Sequence, residues 1–192
     1  MNYCAQYGVP SVACRFATVL EPSEFLTEDG VPRFCALHNA MERFRSISSP
    51  TESERETLAE LEAAWENGAR LLISRCPDGR SYKQEWCDVR DIAKGLALAL
   101  DADAAVGEAF TLGGLLTIWE AVVPELAERL DTGYAEARMP NPNFFEFDHS
   151  KARELLGYEP DHDIWSTLDT AQAMREGRNT DVIPTGERYG TA

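Results

Sequence analysis

The sequence contains no Cys-x-x-Cys, no Gly-x-Ser-x-Gly, no His-Glu-x-x-His and no Walker loop. Zinc clips, nucleophile-elbow hydrolases, zinc proteases and P-loop NTPases therefore lose their local signatures. Basic residues are scarce. Eighteen Lys and Arg stand against 33 Asp and Glu, giving a formal charge of -15 with no Lys/Arg cluster. Affinity for nucleic acid comes largely from phosphate neutralisation, so nucleic acid is a poor partner, and an anionic membrane surface is no better. No run approaches the roughly 18 apolar residues of a membrane span, and Met1 is followed by no basic and apolar leader pattern. The five cysteines, Cys4, Cys14, Cys35, Cys76 and Cys87, are an odd set. They read as reduced thiols of a soluble, cytoplasmic protein, with Cys14 and Cys87 as small core residues. Glycine-rich turns are missing too: Gly113-Gly114 is the only glycine pair.

What is present is an ordinary globular composition, 44% hydrophobic over 192 residues, enough for one domain or a little more. Residues 2–7 read as a helix end closed by Gly8, followed by a strand over 11–16 and a loop over 17–22. Residues 34–44 suit a short helix; His38 in it has no partner at metal spacing and reads as a plain histidine. Ser49-Pro50-Thr51-Glu52 spells a capping box opening a helix that runs to about Asn67, buries Leu58, Leu61 and Trp65, and stops at Gly68. Strands are expected over 70–75 and 108–112. Thr117 with Glu120 spells a second capping box, for a helix burying Ile118, Val122, Leu126 and Leu130 and kinked at Pro124. An extended stretch follows over 134–140. The aromatic and amide loop Asn141-Pro142-Asn143-Phe144-Phe145 fits either a packed connector or the lining of a polar, ring-shaped ligand. Asp148 caps a helix closed by Gly157. Asp161-His162-Asp163 is better explained by a cap at Asp163 than by a metal, and residues 178–192 form a polar tail.

The rest of the chain is organised around Tyr82–Gly95. Glu85, Trp86, Cys87, Asp88 and Val89 mix bulky and β-branched types suited to a half-buried strand, and Asp91 stands where a helix N-cap belongs. From there Ile92, Leu96 and Leu100 mark one helical face. A strand feeding a helix through a charged turn places polar side chains at the carboxyl end of a sheet, where open α/β sheets bind ligands.

"EWCDVRDIAKGLALAL" resembles the segment after the substrate loop in extended short-chain dehydrogenases/reductases, the NAD-dependent epimerase/dehydratase family. Three further blocks agree in order. "YCAQYGVPSVACRFATVLEP" is similar to the end of that family's catalytic helix and the strand and turn after it. "GEAFTLGG" with "TIWEAVVPELAERL" resembles its late strand and helix, and "FDHSKARELLGYEP" its Asp-x-Ser-Lys-Ala signature. The resemblance implies an α/β fold: an incomplete, doubly wound Rossmann-type domain of two or three C-terminal strands with a small, mostly helical substrate-binding lobe, together spanning residues 1–177.

By the same resemblance, the loop after the first strand places Ala17 and Thr18 beside the nicotinamide, and Leu20, Gln84 and Trp86 fall on the substrate side, where Asn143 of the aromatic and amide loop is also expected. Arg15 reads as a structural ion pair or a ligand contact. Many nucleotide-sugar members carry an arginine where this chain has Gln84, so the diphosphate contact expected there lacks its charge. The family's Gly-rich cofactor turn and its catalytic Tyr-x-x-x-Lys do not occur: none of the six tyrosines has a lysine four residues on. No catalytic residue is therefore assigned. The chain is expected to begin inside the catalytic helix, as a truncated, substrate-binding half of an NAD- or NADP-dependent epimerase, dehydratase or reductase, not binding the cofactor alone. The alternative is a non-catalytic binding or assembly module. Expected partners are a small-molecule substrate, such as a sugar or nucleotide sugar, and a Rossmann half or a second copy in a homo-oligomer.

Overall fold

The computed structural model describes residues 2–180 and 182. Its elements begin with helix α1 (Asn2–Tyr7), strands β1 (Ala13–Phe16) and β2 (Thr18–Leu20), and the short helix α2 (Pro22–Phe25). Helices α3 (Leu37–Arg45) and α4 (Glu52–Glu66), then strands β3 (Ala69–Arg75) and β4 (Lys83–Asp88), come next. Helix α5 (Val89–Asp101) leads to strands β5 (Ala109–Leu112) and β6 (Leu116–Ile118). Helix α6 (Trp119–Arg129), strand β7 (Gly133–Arg138) and helices α7 (Ser150–Leu156) and α8 (Ile164–Arg175) complete the order. The described residues thus hold seven strands, of which β2 and β6 fall outside the stretches read from the sequence as strand or extended. The expected loop over 17–22 is partly strand β2, because Thr18, Val19 and Leu20 pair with β4. Of the tail at 178–192, residue 181 and residues 183–192 lie outside the described residues.

The chain divides into two compact units: Met1–Phe25, Glu85–Leu116 and Glu146–Ala192 form unit 1, and Leu26–Gln84 with Thr117–Phe145 form unit 2. In unit 1, β1 runs parallel to β5 from Ala13 opposite Ala109 to Phe16 opposite Leu112. Likewise β2 runs parallel to β4, with Thr18 opposite Trp86 and Leu20 opposite Asp88. Parallel strands need both faces covered, and the buried set Cys87, Ile92, Ala99, Phe110, Leu112 and Tyr158 supplies that core.

Two sequence expectations about α5 are corrected. Its N-cap is Asp88, whose Oδ1 accepts the Arg90 N–H at 2.9 Å; Asp91 sits inside the first turn. The buried face is Ile92, Gly95 and Ala99, while Leu96 and Leu100 are 40% and 80% exposed. The reason is close approach. A Cβ on Gly95 would lie 2.8 Å from Leu112 Cδ1 and 2.9 Å from Tyr158 Cε2, so only the smallest residues fit that contact. Arg15, exposed on β1, makes no ion pair with any described residue, which removes the structural pairing expected for it. Gly157 does close α7 as read, at φ 64°, and Asp163 caps α8 in a reciprocal box with Ser166.

In unit 2, β3 and β7 pair in parallel from Leu71 opposite Tyr134 to Arg75 opposite Arg138, and α3, α4 and α6 pack on β3. The first capping box is Thr51 with Glu54, two residues later than Ser49 with Glu52, and Leu61 is the fully buried side chain of α4. The second box is absent. Thr117 is buried within β6, and α6 starts at Trp119 with no cap from its own N-cap side chain. Its first free N–H groups are met from elsewhere: Ser81 Oγ accepts from Glu120 N at 3.0 Å and the Tyr82 carbonyl from Trp119 N at 3.2 Å. The helix start therefore moves by one residue, and its buried face becomes Trp119, Val123, Leu126 and Ala127. Ser81→Ala is expected to cost about 1 kcal/mol, the ordinary worth of a capping hydroxyl. A shift of the urea midpoint at unchanged slope would report it.

Candidate functional site

Gln84 and Asn143, two of the six site residues expected from sequence, meet in one cavity of unit 2 of about 260 Å³. Gln84 comes from β4 and Asn143 from the loop after β7. That loop is tied down by the Tyr82 hydroxyl donating to the Asn141 carbonyl at 2.5 Å and by Lys83 N–H donating to the Asn143 carbonyl at 2.8 Å. The Arg80 guanidinium stacks 4.1 Å over the Phe144 ring. Asn143 is thereby held by its backbone while its side-chain Oδ1 is shut from solvent without a hydrogen-bond partner. An unmet buried acceptor costs about 1–3 kcal/mol, a cost that a ligand donor reaching it would relieve.

The same cavity is lined by Arg33, Phe34, Arg43 and Tyr82, none of which sequence reasoning selected. Nothing in the local sequence marks them. Arg43 lies on α3 and Tyr82 on the stretch before β4, so only the fold of unit 2 brings them together. Burial raises the Tyr82 phenol above its ordinary pKa, and the positive charge of Arg43 opposes that rise.

The four other expected site residues lie in unit 1. Trp86 is 2% exposed, its ring 5.5 Å from that of Phe25, and Leu20 is 7% exposed at the end of β2; both side chains serve the core. Ala17 is half-buried and Thr18 exposed where β1 gives way to β2. Those two residues present no run of backbone N–H groups at a helix N-terminus, the arrangement that holds a dinucleotide pyrophosphate.

Unit 1 also holds buried polar pairs the sequence did not announce. Glu85, 2% exposed, accepts the Phe147 N–H at 2.9 Å and pairs with His149 Nε2. The His149 Nδ1 lies 3.2 Å from the Thr111 carbonyl. Asp91 accepts from the backbone N–H groups of Asp161 and His162 at 2.9 and 3.1 Å and lies 2.8 Å from His162 Nδ1. So His162, singled out within Asp161-His162-Asp163, ties the turn before α8 to α5. Among the described residues no group of three or more His, Cys, Asp or Glu side chains is arranged to hold a metal ion. Cys87 is free and fully buried, its thiol pushed up to about 12 by burial and by the carboxylates of Glu85, Asp91 and Asp88, which leaves no reactive thiolate there. No helix among the described residues is long and apolar enough to cross a membrane.

No protein-family model matches the chain. Comparison of the fold gives a short-chain dehydrogenase/reductase superfamily protein from Agrobacterium tumefaciens with bound NAD, at TM-score 0.72 and 20% identity, over 92% of this chain and 54% of that one. The chain shares the fold of that protein. A dTDP-glucose 4,6-dehydratase from Actinoplanes sp. is 36% identical over 92 residues, which is 43% of this chain and 27% of that protein. The UDP-glucuronic acid 4-epimerase of Bacillus cereus, solved with UDP-glucuronic acid and NAD, matches at TM-score 0.56 and 17% identity over 91% of this chain and 48% of that one. The chain thus spans about half the length of these solved structures and about a quarter of the curated relative.

Proposed function

We propose that this chain is the substrate-binding half of an NAD(P)-dependent epimerase, dehydratase or reductase, with the unit 2 cavity as its substrate site. The observation that carries this reading is the meeting of Gln84 and Asn143 in one cavity, with an unpaired buried acceptor beside them. The substrate class is a nucleotide sugar, the kind of ligand named for the epimerase relative. The chain has no Gly-rich cofactor turn and no Tyr-x-x-x-Lys, so the proposal includes no turnover by the chain alone. In this family the cofactor carries the hydride and the protein supplies orientation. A separate Rossmann half would provide the cofactor site and the acid/base pair. A cytoplasmic setting accords with the five unpaired cysteines.

Calorimetric titration with dTDP-glucose, UDP-glucose and NAD tests the reading. A nucleotide sugar is expected to bind, NAD is not, and Asn143→Leu weakens the sugar nucleotide about tenfold by removing one acceptor. Turnover by the purified chain, or no binding of either sugar nucleotide, would overturn it. A second reading, a non-catalytic module that pairs with a complete family member, draws support from the outward apolar residues Leu96 and Leu100 on α5. NAD binding that stays absent when a Rossmann half is supplied favours that module.

A further inference from the structure

Strand β7 of unit 2 has one open edge. Among the described residues it pairs with β3 alone, in a parallel sheet of two strands, where sheets ordinarily hold about four to six. We propose that this edge is the pairing surface for a second copy of the chain, with β7 running antiparallel to the partner's β7 about a twofold axis at Ala137. Nothing in this pairing depends on the substrate reading of the cavity.

The side chains of β7 sort by alternation along the strand. Ala137 is buried and Ala135 half-buried in a strand on which α4 and α6 pack, while Tyr134, Glu136 and Arg138 are exposed. Glu136 meets Arg75 of β3 through Oε2, which accepts from Nε at 2.7 Å; its Oε1 has no partner among the described residues. Arg138, two positions on, makes no ion pair with any described residue. In a chain with 33 acidic and 18 basic side chains, this guanidinium stands on an open edge with its charge unmet.

With the axis at Ala137, Glu136 faces the partner's Arg138 and Arg138 faces the partner's Glu136, so the twofold makes two cross-strand ion pairs from one strand. Ala137 faces its own copy, with no bulk to hold the strands apart. Neighbouring registers that keep the exposed face of both copies on one side do worse. An axis at Glu136 sets two carboxylates against each other, and one at Ala135 leaves Arg138 with no charge opposite it. Met139 continues the strand, its N–H donating to the Arg75 carbonyl at 2.8 Å, and Pro140 ends the pairing. Charges on an edge strand ordinarily turn other strands away. Two of opposite sign at this spacing admit an antiparallel copy of themselves.

Sedimentation velocity of the full chain over a concentration series is the test. Wild type is expected to reach twice the chain mass by about 0.5 mM at low salt and to dissociate as ionic strength rises. Arg138→Glu sets carboxylates opposite each other twice and should weaken the dimer at least about tenfold. Arg138 is exposed, so matched melting curves will show that this variant is folded. Glu136→Arg should weaken the dimer likewise. An equimolar mixture of the two variants should recover it, because each offers the other the opposite sign, and the double variant Glu136→Arg/Arg138→Glu should recover it alone. If Glu136→Arg does not fold, having lost its pair with Arg75, the Arg138→Glu and salt series decide. Wild type that stays monomeric at about 0.5 mM sinks the pairing. So does a dimer that Arg138→Glu leaves intact, which places the contact on another surface, or a loss that folded mixtures and the double variant fail to reverse.

Discussion

Gly114→Ala is expected to destabilise the protein by about 3 kcal/mol or more, lowering its melting temperature by roughly 6–12 °C. The tertiary structure leaves no room for a methyl group. A Cβ on Gly114 would penetrate the Trp86 carbonyl oxygen, with Trp86 C at 2.8 Å and Cys87 Cα at 3.0 Å. These are backbone atoms of β4, which is held in register by β2, so no side-chain rotation relieves the clash. Moving β4 would also disturb Glu85, Trp86, Cys87 and Asp88, all buried. At Gly113 a methyl group would meet the side chains of Glu85 and His149 instead, and the carbonyl there accepts the buried Tyr158 hydroxyl at 2.6 Å. Circular dichroism melts decide the matter: a Gly114→Ala curve within about 2 °C of wild type would mean that β4 and the glycine turn are not in this contact.

The second large effect is expected at Asp88. Its carboxylate caps α5 through the Arg90 N–H, takes two further hydrogen bonds from the Arg90 guanidinium at 2.8 and 2.7 Å, and accepts the Thr167 hydroxyl at 3.1 Å. The side chain has no solvent exposure. Asp88→Ala removes the cap of α5, the carboxylate partner of Arg90 and the acceptor of the buried Thr167 hydroxyl at once, and losing one member of such a pair costs about 3 kcal/mol. Urea unfolding that places Asp88→Ala within about 1 kcal/mol of wild type would rule out that role.

The same site gives a pH dependence. Burial works to raise the Asp88 carboxyl, but the hydrogen bonds and charge of Arg90 prevail and hold it below its ordinary value. A carboxylate with a depressed folded pKa binds its proton more weakly folded than unfolded. Its stabilisation is complete above the unfolded value, near 3.9, and fades as pH falls through the folded one. Asp88→Asn keeps an acceptor for the cap and has no charge to lose. The stability gap between wild type and Asp88→Asn should therefore shrink on acidification below about pH 4.

Much of the architecture was legible because it is written locally. Gly157 after a helical period, Asp163 with Ser166 three residues on, and the strand-to-helix step near Asp88 each depend on neighbours within one turn. Local rules failed where a distant element took over. Ser81, 39 residues before Glu120, supplies the cap that Thr117 seemed to offer, and the contacts of Leu112 and Tyr158 with Gly95 turn α5 so that Leu96 and Leu100 face outward. The candidate site divides in the same way. Gln84 was chosen by resemblance to a family and Asn143 from its aromatic and amide loop, and no motif marked Arg43 or Tyr82, because a cavity wall built from separate segments has no period in the chain.

The sequence by itself determined most of the helices and strands, the absence of a Gly-rich cofactor turn and of Tyr-x-x-x-Lys, and the excess of acidic charge, and the α/β class came from its resemblance to a family. Hydrophobic period, turn residues and composition are properties of short windows, and these suffice for such statements. Tertiary structure alone decided which face of α5 is buried, which hydroxyl caps α6, which carboxylates are sealed from water, and which arginine of α3 makes no ion pair with a described residue. Those outcomes depend on which side chains meet across long sequence separations, and close packing settles them by excluding every residue too large, or too poorly hydrogen-bonded, to fit.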